Sequence, residues 1–133
     1  MAAIVLDSFA LLAMLRDEPG SETVARLLER AGQRDEPVHM TEVSYAEVQY
    51  IVRRQEGDPA WEVVARELAA APIEFHAADR TLANLAAGFK ARFKMSLADA
   101  FAAALAKEKK AELVTGDTEF RALEGQIKID WLR

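Results

Sequence analysis

The chain has 133 residues, 17 basic and 22 acidic, for a net charge of −5. Hydrophobic residues make up 51% and charged residues 29%, a globular balance that excludes a disordered chain, and the length predicts one domain over residues 1–133. The absence of Cys excludes a disulfide framework, a thiol nucleophile and Cys-ligated zinc, and the acidic balance excludes holding nucleic acid by bulk positive charge.

The opening MAAIVLDSFALLAML is apolar, but no basic residue precedes it and Asp7 interrupts it, so it reads as structure and not as a leader. No apolar run approaches the roughly 18 residues of a membrane span. A soluble, cytoplasmic protein without a membrane partner is expected. The AAIVL run over residues 2–6 reads as a buried strand, and either Asp7 or Ser8 can cap the helix that follows over 9–15. Pro19-Gly20 marks a turn, Ser21 is placed to cap a second helix, and Gly32 to end it. A weaker strand is expected over 37–40. Thr41 opens a third helix to about Arg54, closed before Gly57-Asp58-Pro59, and a fourth follows Pro59 until Pro72.

IEFH over 73–76 alternates apolar and polar residues as a strand does. Residues 79–93 and 96–110 read as two further helices, the second with Ser96 as its cap. ELVT over 112–115 is a strand running into Gly116-Asp117, and Ile127 and Ile129 mark a last one before Trp131. Short strands alternating with helices imply a three-layer α/β/α sandwich around a short parallel sheet. No repeat and no linker interrupts the pattern.

Asp7 and Asp117 each stand just beyond the carboxyl end of a predicted strand, the edge where active sites of open parallel sheets form. Right-handed crossovers put those ends on one edge, so the two carboxylates can meet. An Asp in this position is equally placed to cap a helix. Asp99 lies in SLADAFAAALA, a helix apolar on most sides, where an ionised carboxylate needs a partner or a metal. It is also the third residue of a capping box with Ser96. Glu47 interrupts the apolar row Val43, Glu47, Ile51, unless it sits solvated at the edge of that stripe. Glu42 falls in a first turn, where an acid complements the helix dipole. Four acids gathered at one edge would repel one another without divalent cations, and an all-oxygen set suits Mg²⁺ or Mn²⁺. Hard cations held by carboxylates promote phosphodiester cleavage. His39 and His76 follow no zinc spacing and read as strand or surface residues.

In order and approximate spacing, IVLDS, SYAEVQY, SLADAFAAALA and LVTGDTEF resemble the PIN-domain nucleases, and in size the VapC ribonuclease toxins of bacterial toxin–antitoxin pairs. The resemblance covers nearly the whole chain. It implies that Asp7, Glu47, Asp99 and Asp117 form a catalytic, metal-binding quartet, with Ser8 and Thr115 supporting it and Glu119 as an auxiliary acid. It further implies Mg²⁺- or Mn²⁺-dependent hydrolysis of RNA by activated water, a homodimer, and inhibition by a cognate antitoxin. Phe9 departs from the small or polar residue that often follows the Asp-Ser pair.

Without the four quartet acids the net charge rises from −5 to −1, so bound cations would change the local field substantially. Arg53 and Arg54, and the run Lys90, Arg92 and Lys94, are candidate RNA contacts, with further cations at Lys107, Lys109 and Lys110. Phe89 and Phe93 interleave the second group and read either as base-stacking residues or as core residues four apart. A phosphatase would want a second Asp where Phe9 stands, and a receiver-like module would want paired acids at the first strand. A nuclease of the same fold acting on DNA flaps or in RNA processing is the third alternative.

Overall fold

In the computed structural model, which describes residues 3–132, five parallel strands run in the order β3-β2-β1-β4-β5. Strand β1 (Ile4–Leu6) is central. It is flanked by β2 (Val38–Thr41) and β4 (Glu112–Thr115), and β3 (Ile73–His76) and β5 (Lys128–Trp131) form the edges. The expected start of β1 at Ala2 lies outside the described residues. The helices are α1 (Ser8–Leu15), α2 (Ser21–Arg34), α3 (Glu42–Glu56), α4 (Asp58–Ala70), α5 (Arg80–Arg92) and α6 (Leu97–Lys109), with a short 3₁₀ segment (Thr118–Leu123) after β4.

Alternation along the strands sorts their side chains into two cores. Leu6, Met40 and Val114 pack with α1, α2, α3 and α4, whereas Val5 and Leu113 pack with α5, α6 and the 3₁₀ segment. The sheet is therefore covered on both faces, which is the three-layer sandwich expected of short apolar strands between helices. Among the described residues, no helix is long and apolar enough to cross a membrane.

From β1 the chain moves outward through β2 to β3, and it then returns to the other side of β1 as β4. The order thus reverses between β1 and β4, and the carboxyl ends of these two strands border the crevice that results. Helix α6 lies against β1, β2 and β4, and its buried Ala100, Ala102, Ala103, Ala104 and Ala106 are short enough to let its axis approach the sheet. Asp99 is carried in its first turn.

Asp7 is the residue that caps α1, its Oδ1 accepting from the Ala10 N–H at 2.8 Å, while Ser8 is already inside the helix. Thr41 caps α3 as expected: its buried Oγ1 accepts from the Ser44 N–H at 2.9 Å. Thr41→Ala should cost about 1 kcal/mol in urea denaturation, since the Ser44 donor loses its partner away from water. Two expectations for α2 are corrected. Ser21 is not its cap, because Gly20 occupies that position at φ 96°, and the Ser21 hydroxyl donates instead to the Met14 carbonyl. Gly32 does not end the helix either; Asp35 does, at φ 52°, a left-handed conformation that Asp tolerates better than most residues. Gly57, at φ 95°, is the single residue between α3 and α4, so α3 extends past Arg54 to Glu56 and α4 begins one residue before Pro59.

Candidate metal centre

The crevice between β1 and β4 gathers carboxylates from four elements. Asp7 follows β1 and is 2% exposed. Its Oδ2 accepts from the Thr115 hydroxyl at 2.5 Å, and the same Thr115 oxygen accepts from the Asp117 N–H at 3.0 Å. One buried hydroxyl at the end of β4 therefore fixes the acids that follow two neighbouring strands. Asp117 in turn caps the 3₁₀ segment, its Oδ1 accepting from the Glu119 N–H at 3.0 Å. Asp99, 8% exposed, donates its N–H to the Ser96 Oγ at 3.1 Å. Carboxylate oxygens of Asp99, Asp117 and Glu119 lie within 4.8 Å of one another. Glu47, half-buried on α3, accepts a hydrogen bond from the Ser8 hydroxyl.

Asp7 and Asp117 are capping residues and site acids at once, because each carboxylate has two oxygens and the helix end uses only one. Electrostatics reports the crowding. Burial pushes the Asp7 carboxyl up to about 7, against the lowering effect of its bonds to Thr115 and Ala10, and the charges of Asp99 and Asp117 raise it further. Asp99 rises to about 6, first through burial and then through the Asp117 charge; Ser96 opposes this, and Glu47 and Glu119 add to it. Of the quartet, Asp99 and Asp117 thus share one close group with Glu119, expected only as an auxiliary acid. Asp7 is linked to that group by the charges of Asp99 and Asp117, and Glu47 by its charge on Asp99.

Phe9, 43% exposed, lays its ring against Gly116, where a Cβ would overlap it. This contact explains how a bulky residue is accommodated after the Asp-Ser pair: the loop opposite supplies a residue without a side chain.

The basic residues are less pointedly arranged. Arg53 pairs with Asp58 at 2.8 Å, and Arg54 lies over the Tyr50 ring at 5.1 Å. Lys90 donates to the Met95 carbonyl at 2.8 Å, and Arg92 lies over the rings of Phe89 and Phe93, while Lys94 is exposed. Of the two readings of Phe89, the core one holds, since the residue is buried among the side chains of α5 and α6.

Sequence spacing missed a second cluster. His39 and His76 lie on adjacent strands with Nδ1 and Nε2 only 2.9 Å apart, and Glu74 stands beside them. Burial lowers the His39 pKa, as do His76 and Lys109, while Glu74 opposes the shift. The only signal was in the strands themselves: Glu74 and His76 are two apart and share a face, but the register that aligns them with His39 is not written in either segment.

Comparison with known proteins bears on the fold and the family. Many solved structures share the fold, and three of them illustrate the likeness at low identity. VapBC2 from Rickettsia felis, bound to a DNA fragment from its promoter, superposes with a TM-score of 0.77 at 13% identity, covering 98% of this chain and 99% of that one. DNA-bound VapBC from Salmonella typhimurium gives 0.74 at 16%, covering 98% of each chain. VapC20 from Mycobacterium tuberculosis, a toxin that cleaves the sarcin–ricin loop, gives 0.70 at 18%, covering 90% of this chain and 94% of that one. No curated protein sequence matches. The PIN domain profile matches residues 4–126, which include every acid of the crevice, and the chain therefore belongs to the PIN domain family.

Proposed function

We propose that this protein is a divalent-cation-dependent endoribonuclease and the toxin of a toxin–antitoxin pair. The observation that carries the reading is the close group of Asp99, Asp117 and Glu119 carboxylates, with Asp7 at the end of β1 where strand order reverses, and with the Asp7 and Asp99 carboxyls held well above their ordinary pKa. Such crowding fits a site built for positive charge, and the donor set is oxygen only, which suits Mg²⁺ or Mn²⁺. Asp7, Glu47, Asp99 and Asp117 would hold the cation, together with Glu119, whose carboxylate lies within 4.8 Å of those of Asp99 and Asp117. When bound, it would neutralise charge on the scissile phosphate and make a water molecule more acidic.

The chain's own groups hold that arrangement in place. Thr115 fixes the Asp7 carboxylate against the backbone of Asp117, and Ser8 orients Glu47 by donating to it. With its hydroxyl engaged in this way and nearly buried, Ser8 is assigned as a positioning residue. The exposed Phe9 ring beside Gly116 offers a flat apolar surface at the rim, on which an unpaired base can stack. Arg53, Arg54, Lys90, Arg92 and Lys94 are assigned as phosphate contacts further out.

The toxin role is supported by the structural neighbours, which include a toxin–antitoxin complex from Klebsiella pneumoniae and the VapC20 toxin. The reading includes a cognate antitoxin, a homodimer and a cytoplasmic location. Purified protein should cleave single-stranded or looped RNA with Mg²⁺ or Mn²⁺ and not in excess chelator; undiminished cleavage in chelator would overturn the mechanism. Expression alone should arrest growth, and co-expression of the neighbouring gene should relieve the arrest. RNA cleavage without any growth effect would leave the nuclease standing and remove the toxin role.

A further inference from the structure

The second cluster lies on the sheet itself, away from the carboxylate crevice. Strand alternation sends Val38 and Met40 into the core shared with α1 to α4, so His39 faces the opposite side, toward α6. Parallel pairing sets His39 opposite Glu74 and Thr41 opposite His76. His39 therefore meets Glu74 directly and His76 on the diagonal, all on one face of the edge strand and its neighbour. The His39 Nδ1 is 2.9 Å from the His76 Nε2 and 3.5 Å from the Glu74 Oε2, and the His76 Nε2 is 4.0 Å from the Glu74 Oε1.

We propose that His39, Glu74 and His76 form a second metal site, one that takes an imidazole-preferring divalent cation such as Zn²⁺ and ties edge strand β3 to β2. Metal–nitrogen bonds of about 2.0–2.1 Å in a tetrahedral shell put neighbouring ligand atoms roughly 3.3 Å apart. The ring nitrogens are 2.9 Å apart, and the two oxygens of the Glu74 carboxylate lie 3.5 Å from His39 and 4.0 Å from His76. These distances bracket that spacing, and a rotation that turns one Glu74 oxygen toward both rings closes the shell. Two imidazoles and a carboxylate are also the donor set of three-ligand zinc sites, with a fourth position left for water. The Glu74 side chain is 54% exposed, which gives an ion direct entry from solvent.

Chemistry separates this site from the crevice. Oxygen-only ligands there suit Mg²⁺ or Mn²⁺, whereas nitrogen donors favour Zn²⁺, Ni²⁺ and Cu²⁺. The competing account is a plain hydrogen bond between two neutral imidazoles, one donating and one accepting, with Glu74 alongside. A cation replaces that single bond by three and links two strands, so it stabilises the folded chain in proportion to its occupancy.

Thermal melts of tag-free, full-length protein with Zn²⁺ alone as the probe decide between the two. Zinc should raise Tm in wild type and equally in Asp99→Asn, in which the acidic cluster is impaired. The rise should be lost in His76→Gln and reduced in Glu74→Gln; the exposed Glu74 side chain makes the second variant safe for folding even if the first is not. Cu²⁺ bound to wild type should show nitrogen couplings in its electron paramagnetic resonance spectrum, a signature that carboxylates cannot give. A zinc shift that survives in Glu74→Gln and His76→Gln but vanishes in Asp99→Asn would place the ion among the acids and overturn the proposal. So would an unchanged Tm together with a copper spectrum free of nitrogen coupling, which is the result expected of imidazoles that only hydrogen-bond each other.

Discussion

Asp7→Asn is expected to reduce RNA cleavage by about a hundredfold or more, several kcal/mol of lost charge stabilisation, while the fold stays intact. The substitution separates the two duties of this residue. Capping requires an acceptor for the Ala10 N–H, and the Asn side-chain oxygen supplies one, Asn being among the best caps. Cation binding requires negative charge, which Asn lacks. The Thr115 hydroxyl can turn to accept from the new amide, so the buried pair keeps a hydrogen bond. Single-turnover cleavage in saturating Mg²⁺, read beside a thermal melt, checks both halves. Cleavage at the wild-type rate by a folded Asp7→Asn protein would remove Asp7 from the catalytic set.

The second large effect is on stability and is seen only without divalent cations. Below its ordinary pKa of 3.8, Asp7 is protonated in both the folded and the unfolded chain and contributes nothing to the pH dependence. From there to its folded pKa of about 7, the unfolded chain has released the proton and the folded chain retains it. Folding then takes up a proton, and stability falls as pH rises across that window. Above it, both states are ionised and the penalty is constant. A displacement of that size is worth on the order of 4 kcal/mol for a group this buried. Asp99 slopes the same way, between 3.8 and about 6. His39 slopes oppositely, because its folded pKa lies below 6.5 and burying it neutral disfavours folding at acid pH. The difference between wild type and Asp7→Asn cancels the histidine contribution. In chelator, therefore, Asp7→Asn should match wild type near pH 4 and exceed it near pH 7.5. Millimolar Mg²⁺ should narrow or reverse the order, since the folded wild type alone has the full ligand set. Urea denaturation at the two pH values, with chelator and with Mg²⁺, tests this. Equal stabilities at both pH values would mean that Asp7 ionises as freely folded as unfolded.

Much of this site can be read in the sequence because its determinants are local. Asp7 and Asp117 are found by the strand that ends just before each, Asp99 by the apolar helix it interrupts, and Glu47 by its place in an apolar row. The strand over 73–76 and the cap at Thr41 are likewise set by neighbours within four residues. What escapes is set by partners distant along the chain. The His39–His76 contact depends on the register of β2 against β3, and 37 residues separate the two rings. Thr115, named as a supporting residue only through the family resemblance, sits 108 residues from the carboxylate it holds, and the pairing of β1 with β4 shows which two acids it joins. The end of α2 escaped for another reason: Gly32 and Asp35 are both credible stops, and their separate propensities do not rank them.

The alanines of α6 turn core volume into active-site geometry. With only methyl groups at the fully buried Ala103 and Ala106, the helix packs at a distance set by the smallest side chain that still fills space, and Asp99 travels with it. Enlarging either residue would lift the helix by a fraction of the added side chain's length, and its first turn would carry a carboxylate away from the two strand ends. In a library of core substitutions, those lining α6 should lose activity at a lower threshold than they lose folding. Inactive yet soluble variants would then accumulate along the buried face of α6, and a map of them would trace the ruler by which this fold spaces its acidic cluster.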